Sequence, residues 1–153
     1  MKIVIQRVSR AGVTVNDDRS DIREIGAGIL ALVGFCAGDD EKVLRFMANK
    51  LVNLRIFNDE GGHMNRSLLD VGGELLVVSQ FTLYANCKKG RRPSFVDAAG
   101  PDIAIPLYEH FLAELGALTP IVKSGEFGTS MQVELINDGP VTIILDSDEI
   151  MPK

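Results

Sequence analysis

Leu75-Leu76-Val77-Val78-Ser79-Gln80-Phe81-Thr82-Leu83 is an aliphatic run that breaks off into hydroxyl and amide side chains. Four consecutive aliphatic residues without alternation predict a central strand covered on both faces, which requires a sheet with other elements packed against it. The polar tail then falls where that strand ends, and rigid scaffolds commonly hold reactive groups at such places. Strand alternation would put Ser79 and Phe81 on one face and Gln80 and Thr82 on the other, unless the strand ends or bulges here. Backbone N–H groups freed from a ladder could hold an oxyanion beside these side chains. Spacing alone leaves open a plainer reading, polar residues that merely terminate a buried strand.

Outward from this run the chain reads as strand, strand, strand, helix, strand, helix, strand, strand. Ile3 to Val8 and Ala11 to Val15 are short strand candidates, followed by a turn at Asn16-Asp17-Asp18. Ile29 to Cys36 is a buried strand candidate. Val43, Phe46, Met47, Leu51 and Leu54 fall at helical spacing after an Asp39/Asp40 cap, with Lys50 the polar intrusion on that face. Asn58 to Gly73 reads as a glycine-containing loop. Leu107, Tyr108, Phe111, Leu112 and Leu115 form a second helical stripe, entered through Pro106 and stopped by Gly116. Met131 to Ile136 and Val141 to Leu145 complete the sheet. The fold class is α/β or α+β, with two main helices in a single domain spanning residues 1–153.

The 153 residues carry a net charge of −5, the wrong sign for coating nucleic acid nonspecifically. Lys88-Lys89-Gly90-Arg91-Arg92 nevertheless gathers four of the sixteen basic residues into one loop, either a solvated loop or a local phosphate clamp. No apolar run is long enough to span a bilayer, and the polar Gln6 and Arg7 come too early for a signal peptide, so a cytoplasmic location is expected. Cys36 and Cys87 show no paired spacing and read as free thiols. His63 sits in a glycine-rich loop and His110 on a helix, neither beside a second ligand candidate, so no metal or other cofactor is expected. The scarcity of histidine bears on mechanism, because a serine or threonine nucleophile normally needs a base beside it.

Asn137-Asp138-Gly139-Pro140-Val141-Thr142 is first of all a turn. Its Gly139-Pro140 bond is also a place where a cis peptide would aim two carbonyls in nearly one direction, and composition does not choose between these readings.

Together these blocks resemble the D-aminoacyl-tRNA deacylases, along nearly the whole length from Val4-Ile5-Gln6-Arg7-Val8 to Asp146. The matching segments include Val52-Asn53-Leu54-Arg55-Ile56-Phe57, Ser67-Leu68-Leu69-Asp70, Leu75 through Tyr84, Lys89-Gly90-Arg91-Arg92-Pro93-Ser94-Phe95, and Met131-Gln132-Val133 through Thr142. The resemblance implies a mostly antiparallel, barrel-like mixed sheet and a homodimer with shared active sites. It implies hydrolysis of the ester joining a D-amino acid to the 3′-terminal adenosine of tRNA, with glycine mischarged on tRNA-Ala as another substrate, and no membrane or DNA partner. It also implies a cis Gly139-Pro140 that enters the partner's pocket, binds the substrate amino group and excludes an L side chain, with Arg7 bracing it. Ser79, Gln80, Phe81 and Thr82 would form the catalytic segment, with Phe81 and its neighbours donating N–H groups to an oxyanion. Phe127 and Met131 would line the adenosine site, and Lys88, Lys89, Arg91 and Arg92 would contact tRNA. Water activated by the terminal ribose 2′-hydroxyl, with Thr82 orienting, is the favoured mechanism; a Thr82 nucleophile, a histidine-based esterase and a noncatalytic RNA-binding module are the alternatives. Thr129-Ser130 departs from the Ala-Asp-like stretch common in such proteins.

Overall fold

The computed structural model describes residues 1–153. Its strands are β1 (Lys2–Val15), β2 (Ile22–Ile25), β3 (Gly28–Gly34), β4 (Phe57–Asn58), β5 (Met64–Arg66), β6 (Glu74–Ser79), β7 (Val122–Ser124) and β8 (Met131–Asp146). Its helices are α1 (Glu41–Asn53), α2 (Leu68–Val71), α3 (Pro101–Leu118) and α4 (Ser147–Ile150). The main sheet runs β2-β1-β3-β6-β7, with β8 paired to β1. All pairs involving β1 are antiparallel, whereas β3 with β6 and β6 with β7 are parallel. β2 and β7 approach each other to give a nearly closed, barrel-like shape: Arg23 Nη1 donates to Ser124 O (2.9 Å) and Lys123 Nζ to Glu24 O (2.6 Å). The single domain is therefore α+β.

The aliphatic run behaves as its composition requires. Leu75, Leu76, Val77 and Val78 are all buried in β6, whose two faces serve two clusters. Leu75 and Val77 join the larger core beneath α1 and α3, while Leu76 and Val78 join a smaller one with Val8, Val13 and Leu30. Asp40 caps α1 by accepting from Val43 N–H, and Lys50 stays exposed on its outer side.

Three local readings need correction, and one strand gave no signal in the sequence. The two N-terminal runs are one strand, β1, because β8 pairs with it along its whole length and carries the backbone past Ser9-Arg10. Pro106 lies inside α3 rather than at its start: the N1 position belongs to Pro101, five residues earlier, and Gly116 lies within the helix. Asn58 to Gly73 is not all loop, since it holds β5 and α2, the latter closed by a Ser67–Asp70 capping box. β7, only three residues long, escapes periodicity altogether.

The Asn137 to Thr142 segment is also not a turn between two strands. Both flanks pair with β1, and between the pairs Val8 with Asn137 and Gln6 with Thr142 the strand β8 runs five residues against two. Three residues are thus in excess, and they form a bulge larger than the usual single-residue kind.

Candidate active site

The end of β6 sets the site's geometry. Gln80 N–H makes a last bond to Val33 O (2.7 Å), after which the chain coils into a 3-10 helix over Phe81–Tyr84. The first bond of that helix is Leu83 N–H to Gln80 O (3.2 Å), so the N–H groups of Phe81 and Thr82 precede any intrahelical acceptor. Strand alternation therefore does not extend through Thr82. Close packing underneath requires a glycine at position 34, where a Cβ would sit 2.9 Å from Gln80 O. Tyr84 anchors the far end of the helix, its ring 4.9 Å below Lys2 Nζ. Burial, reinforced by the Asp39 carboxylate, pushes its hydroxyl pKa far above the usual tyrosine range.

Beside this helix lies a cavity of about 320 Å³ lined by Val78, Ser79, Gln80, Phe81, Phe127, Gly128, Thr129, Met131 and Val133. Its size is at the small end of ligand sites. One wall is the end of β6; the other is the loop from β7 into β8, turned by Gly128 at φ +76° and pinned by Thr129 Oγ1 donating to Glu126 O (2.9 Å). No lining residue is ionisable. Thr82 is exposed next to the cavity but does not line it, and its Oγ1 accepts from Gln80 Nε2. The two histidines stand elsewhere: His63 beside Asp59, and His110 with Nε2 3.3 Å from Glu114 on α3.

A second group of residues is built around the bulge of β8. Asn137 closes its neck: Oδ1 accepts from Val141 N–H (2.8 Å), and Nδ2 donates to Val141 O (3.1 Å) and Thr142 Oγ1 (3.2 Å). Arg7, buried on β1, donates from Nε to Asp138 O (2.7 Å) and from Nη1 to Ile56 O (2.8 Å) and Asn58 Oδ1 (3.3 Å). A buried guanidinium needs several acceptors, and this one thereby ties the bulge to the start of β4. Asp138, Gly139 and Pro140 project exposed, and the Gly139-Pro140 peptide is cis.

The expected site residues thus fall into three places. Ser79, Gln80, Phe81, Phe127 and Met131 share the cavity; Arg7, Gly139 and Pro140 form the bulge; Lys88, Lys89, Arg91 and Arg92 form an exposed loop. Val133 lines the cavity while Asn137 opens the bulge, four residues later and about 13 Å along an extended strand. The basic loop is closed by a two-way backbone bridge between Asn86 and Ser94, and none of its four cations lies within 4 Å of a carboxylate. Sequence reading did not find Asn137 as the clasp of the bulge, although an asparagine bonding to nearby backbone was a legible signal. It also missed Val78, Gly128 and Val133 as cavity walls, which only the sheet's topology assembles.

The family model described as D-Tyr-tRNA(Tyr) deacylase matches residues 4–146. The chain is 58% identical over 147 residues to a D-aminoacyl-tRNA deacylase of Roseiflexus sp. (strain RS-1), covering 96% of this chain and 94% of that protein. It is 56% identical over 150 residues to one of Thermomicrobium roseum, covering 98% and 96%. A solved structure named c-Myc DNA Unwinding Element Binding Protein superposes with a TM-score of 0.89 at 44% identity, over 96% of this chain and 99% of that one. A structure described as that of a probable eukaryotic D-amino acid tRNA deacylase shares the fold, with a TM-score of 0.82 at 20% identity over 94% of this chain and 97% of that one.

Proposed function

The chain belongs to the D-Tyr-tRNA(Tyr) deacylase family, and from that membership and the lining of the cavity we propose how it hydrolyses the ester of a D-aminoacyl-tRNA. The protein is a hydrolase acting on aminoacyl-tRNA. The carrying observation is a cavity without an ionisable side chain, set against the first N–H groups of the Phe81–Tyr84 helix. Such a site offers binding, orientation and oxyanion stabilisation but no general base.

The terminal adenosine enters between Phe127 and Met131, and the ester carbonyl faces Phe81 N–H and its neighbour. The ribose 2′-hydroxyl orients a water and relays its proton, accepting it while handing its own on toward the 3′-oxygen, and the water's oxygen bonds to the carbonyl carbon. The oxyanion is held by the backbone donors, the bond to the 3′-oxygen breaks, and that oxygen takes the proton. Gln80 and Thr82 hold each other in place, with Ser79 shaping the floor.

The second part of the site comes from another copy of the chain. β8 is paired on one side only, and Val133, Ile136 and Ile144 are exposed along it, an apolar open edge of the kind that invites pairing. In the homodimer, the bulge held by Arg7 presents the Gly139 and Pro140 backbone to the partner's cavity, receiving the substrate amino group and rejecting an L side chain. Glycine has no side chain to reject, so glycyl-tRNA-Ala is a second substrate. Lys88, Lys89, Arg91 and Arg92 take acceptor-end phosphates, and the enzyme works in the cytoplasm on the aminoacyl-tRNA pool.

The test is incubation with D-tyrosyl-tRNA, L-tyrosyl-tRNA and a small activated ester. Rapid release of D-tyrosine alone is expected. Equal attack on both enantiomers, or hydrolysis of the small ester as the main activity, would contradict the proposal.

A further inference from the structure

The cavity's two walls, residues 78–81 and 127–131, diverge from one buried carbonyl. Val77 O accepts from Gly125 N–H (2.9 Å) and from the Tyr108 hydroxyl (3.0 Å), which also lies 3.4 Å from Gly125 O. Val78 follows one partner directly, and Phe127 follows the other by two residues. Tyr108 reaches this junction from α3 with only 4% of its surface exposed, and its ring lies 6.1 Å from the ring of Phe127. Phe35 supports it from the core side at 6.5 Å. On the outer side, Arg23 holds the adjacent carbonyl of Ser124. Burial raises the phenol pKa to about 12, so it remains a hydrogen-bond donor across the working pH range.

We propose that Tyr108 is a positioning residue for the adenosine seat: it fixes the spacing of the two cavity walls through the Val77 and Gly125 carbonyls and the orientation of Phe127 through ring contact. This inference rests on the reading of the cavity as the seat of the terminal adenosine. It concerns substrate binding rather than the chemical step, since Tyr108 does not line the cavity.

Tyr108→Phe removes only the hydroxyl, and Val77 O retains the Gly125 N–H, so the variant keeps its fold. Loss of one buried hydrogen bond that preorganises the site should raise KM for D-tyrosyl-tRNA and Kd for adenosine 5′-monophosphate together by about fivefold, with kcat changed less than about twofold. Exchange of the Gly125 amide proton should accelerate in parallel. Leu115→Val, in the same helix and wholly buried away from the cavity, serves as the control for lost stability and should leave KM and Kd unchanged. Phe127→Ala tests the seat itself. If it weakens nucleotide binding and Tyr108→Phe does not, or if Leu115→Val raises KM as much as Tyr108→Phe, the positioning role is overturned. If Phe127→Ala leaves nucleotide binding intact, the adenosine reading fails and the inference falls with it.

Discussion

Thr82 is the side chain on which two mechanisms divide. Its hydroxyl is engaged by Gln80, stands outside the cavity lining, and has no histidine nearby to take its proton. A nucleophile whose base is supplied by no residue would be a poor one. Thr82→Ala should therefore retain measurable single-turnover deacylation, while wild-type protein given tRNA ending in 2′-deoxyadenosine should lose most of its rate, by about 10²-fold or more if the 2′-hydroxyl serves as general base. The reverse pattern would return Thr82 to the role of nucleophile. At this scale the residues of β6 and its end were legible, because an aliphatic run meeting Ser79-Gln80-Phe81-Thr82 announces a strand end directly. Tyr108 was not, since it acts through backbone carbonyls that only the fold brings to it; Asn137, which bonds to backbone four residues on, carried a local signal that went unread.

Elements differ in how much they owe to their own sequence. α1 has a cap and a helical period and was readable; β7, three residues long, exists because β6 offers it a parallel edge. Pro106 misled in a physical way: proline favours a helix start, but α3 already has Pro101 there, and the second proline lies on within the helix. The bulge of β8 looked like a hairpin turn because both are written in Asn, Asp, Gly and Pro, and only the shared partner β1 tells them apart. Two predictions belong here. α2 is capped by Ser67, and Asp70 completes the capping box: its carboxylate accepts from Ser67 N–H and lies close to the Ser67 hydroxyl, which lowers its pKa below the ordinary 3.8. A depressed folded-state pKa contributes stability that is present above 3.8 and lost as pH falls through the lowered value. Urea unfolding from neutral to strongly acid pH should show Asp70→Asn losing less stability on acidification than wild type; parallel curves would remove the capping carboxylate from the account. For the loop between Asn86 and Ser94, four phosphate contacts would give a log-log salt slope of tRNA binding near −3, at roughly −0.7 per contact with single strands. Replacing Lys88, Lys89, Arg91 and Arg92 with alanine should flatten that slope without altering the preference for D over L substrate. An unchanged slope would make the loop merely solvated.

On the scale of the whole molecule, β8 carries both a wall of the cavity, at Met131 and Val133, and the bulge, and it holds them apart. Arg7 and Asn137 hold the exposed bulge through hydrogen bonds at its neck, and in the function proposed above a second copy receives it. The end of β6 and the Asn137 to Thr142 segment were both picked out in the sequence, whereas their separation within one chain required the register of β8 against β1. The central claim is that one protomer supplies the cavity and the other the bulge. Its most direct test mixes Gln80→Ala, damaged in the cavity, with Pro140→Ala, which trims the exposed crown of the bulge, and measures D-tyrosyl-tRNA deacylation after subunit exchange. Each variant alone should be nearly inactive, and exchange should restore activity through heterodimers that contain one site with both native halves. No recovery despite demonstrated exchange, or a fully active protein diluted to monomer, would contradict the account.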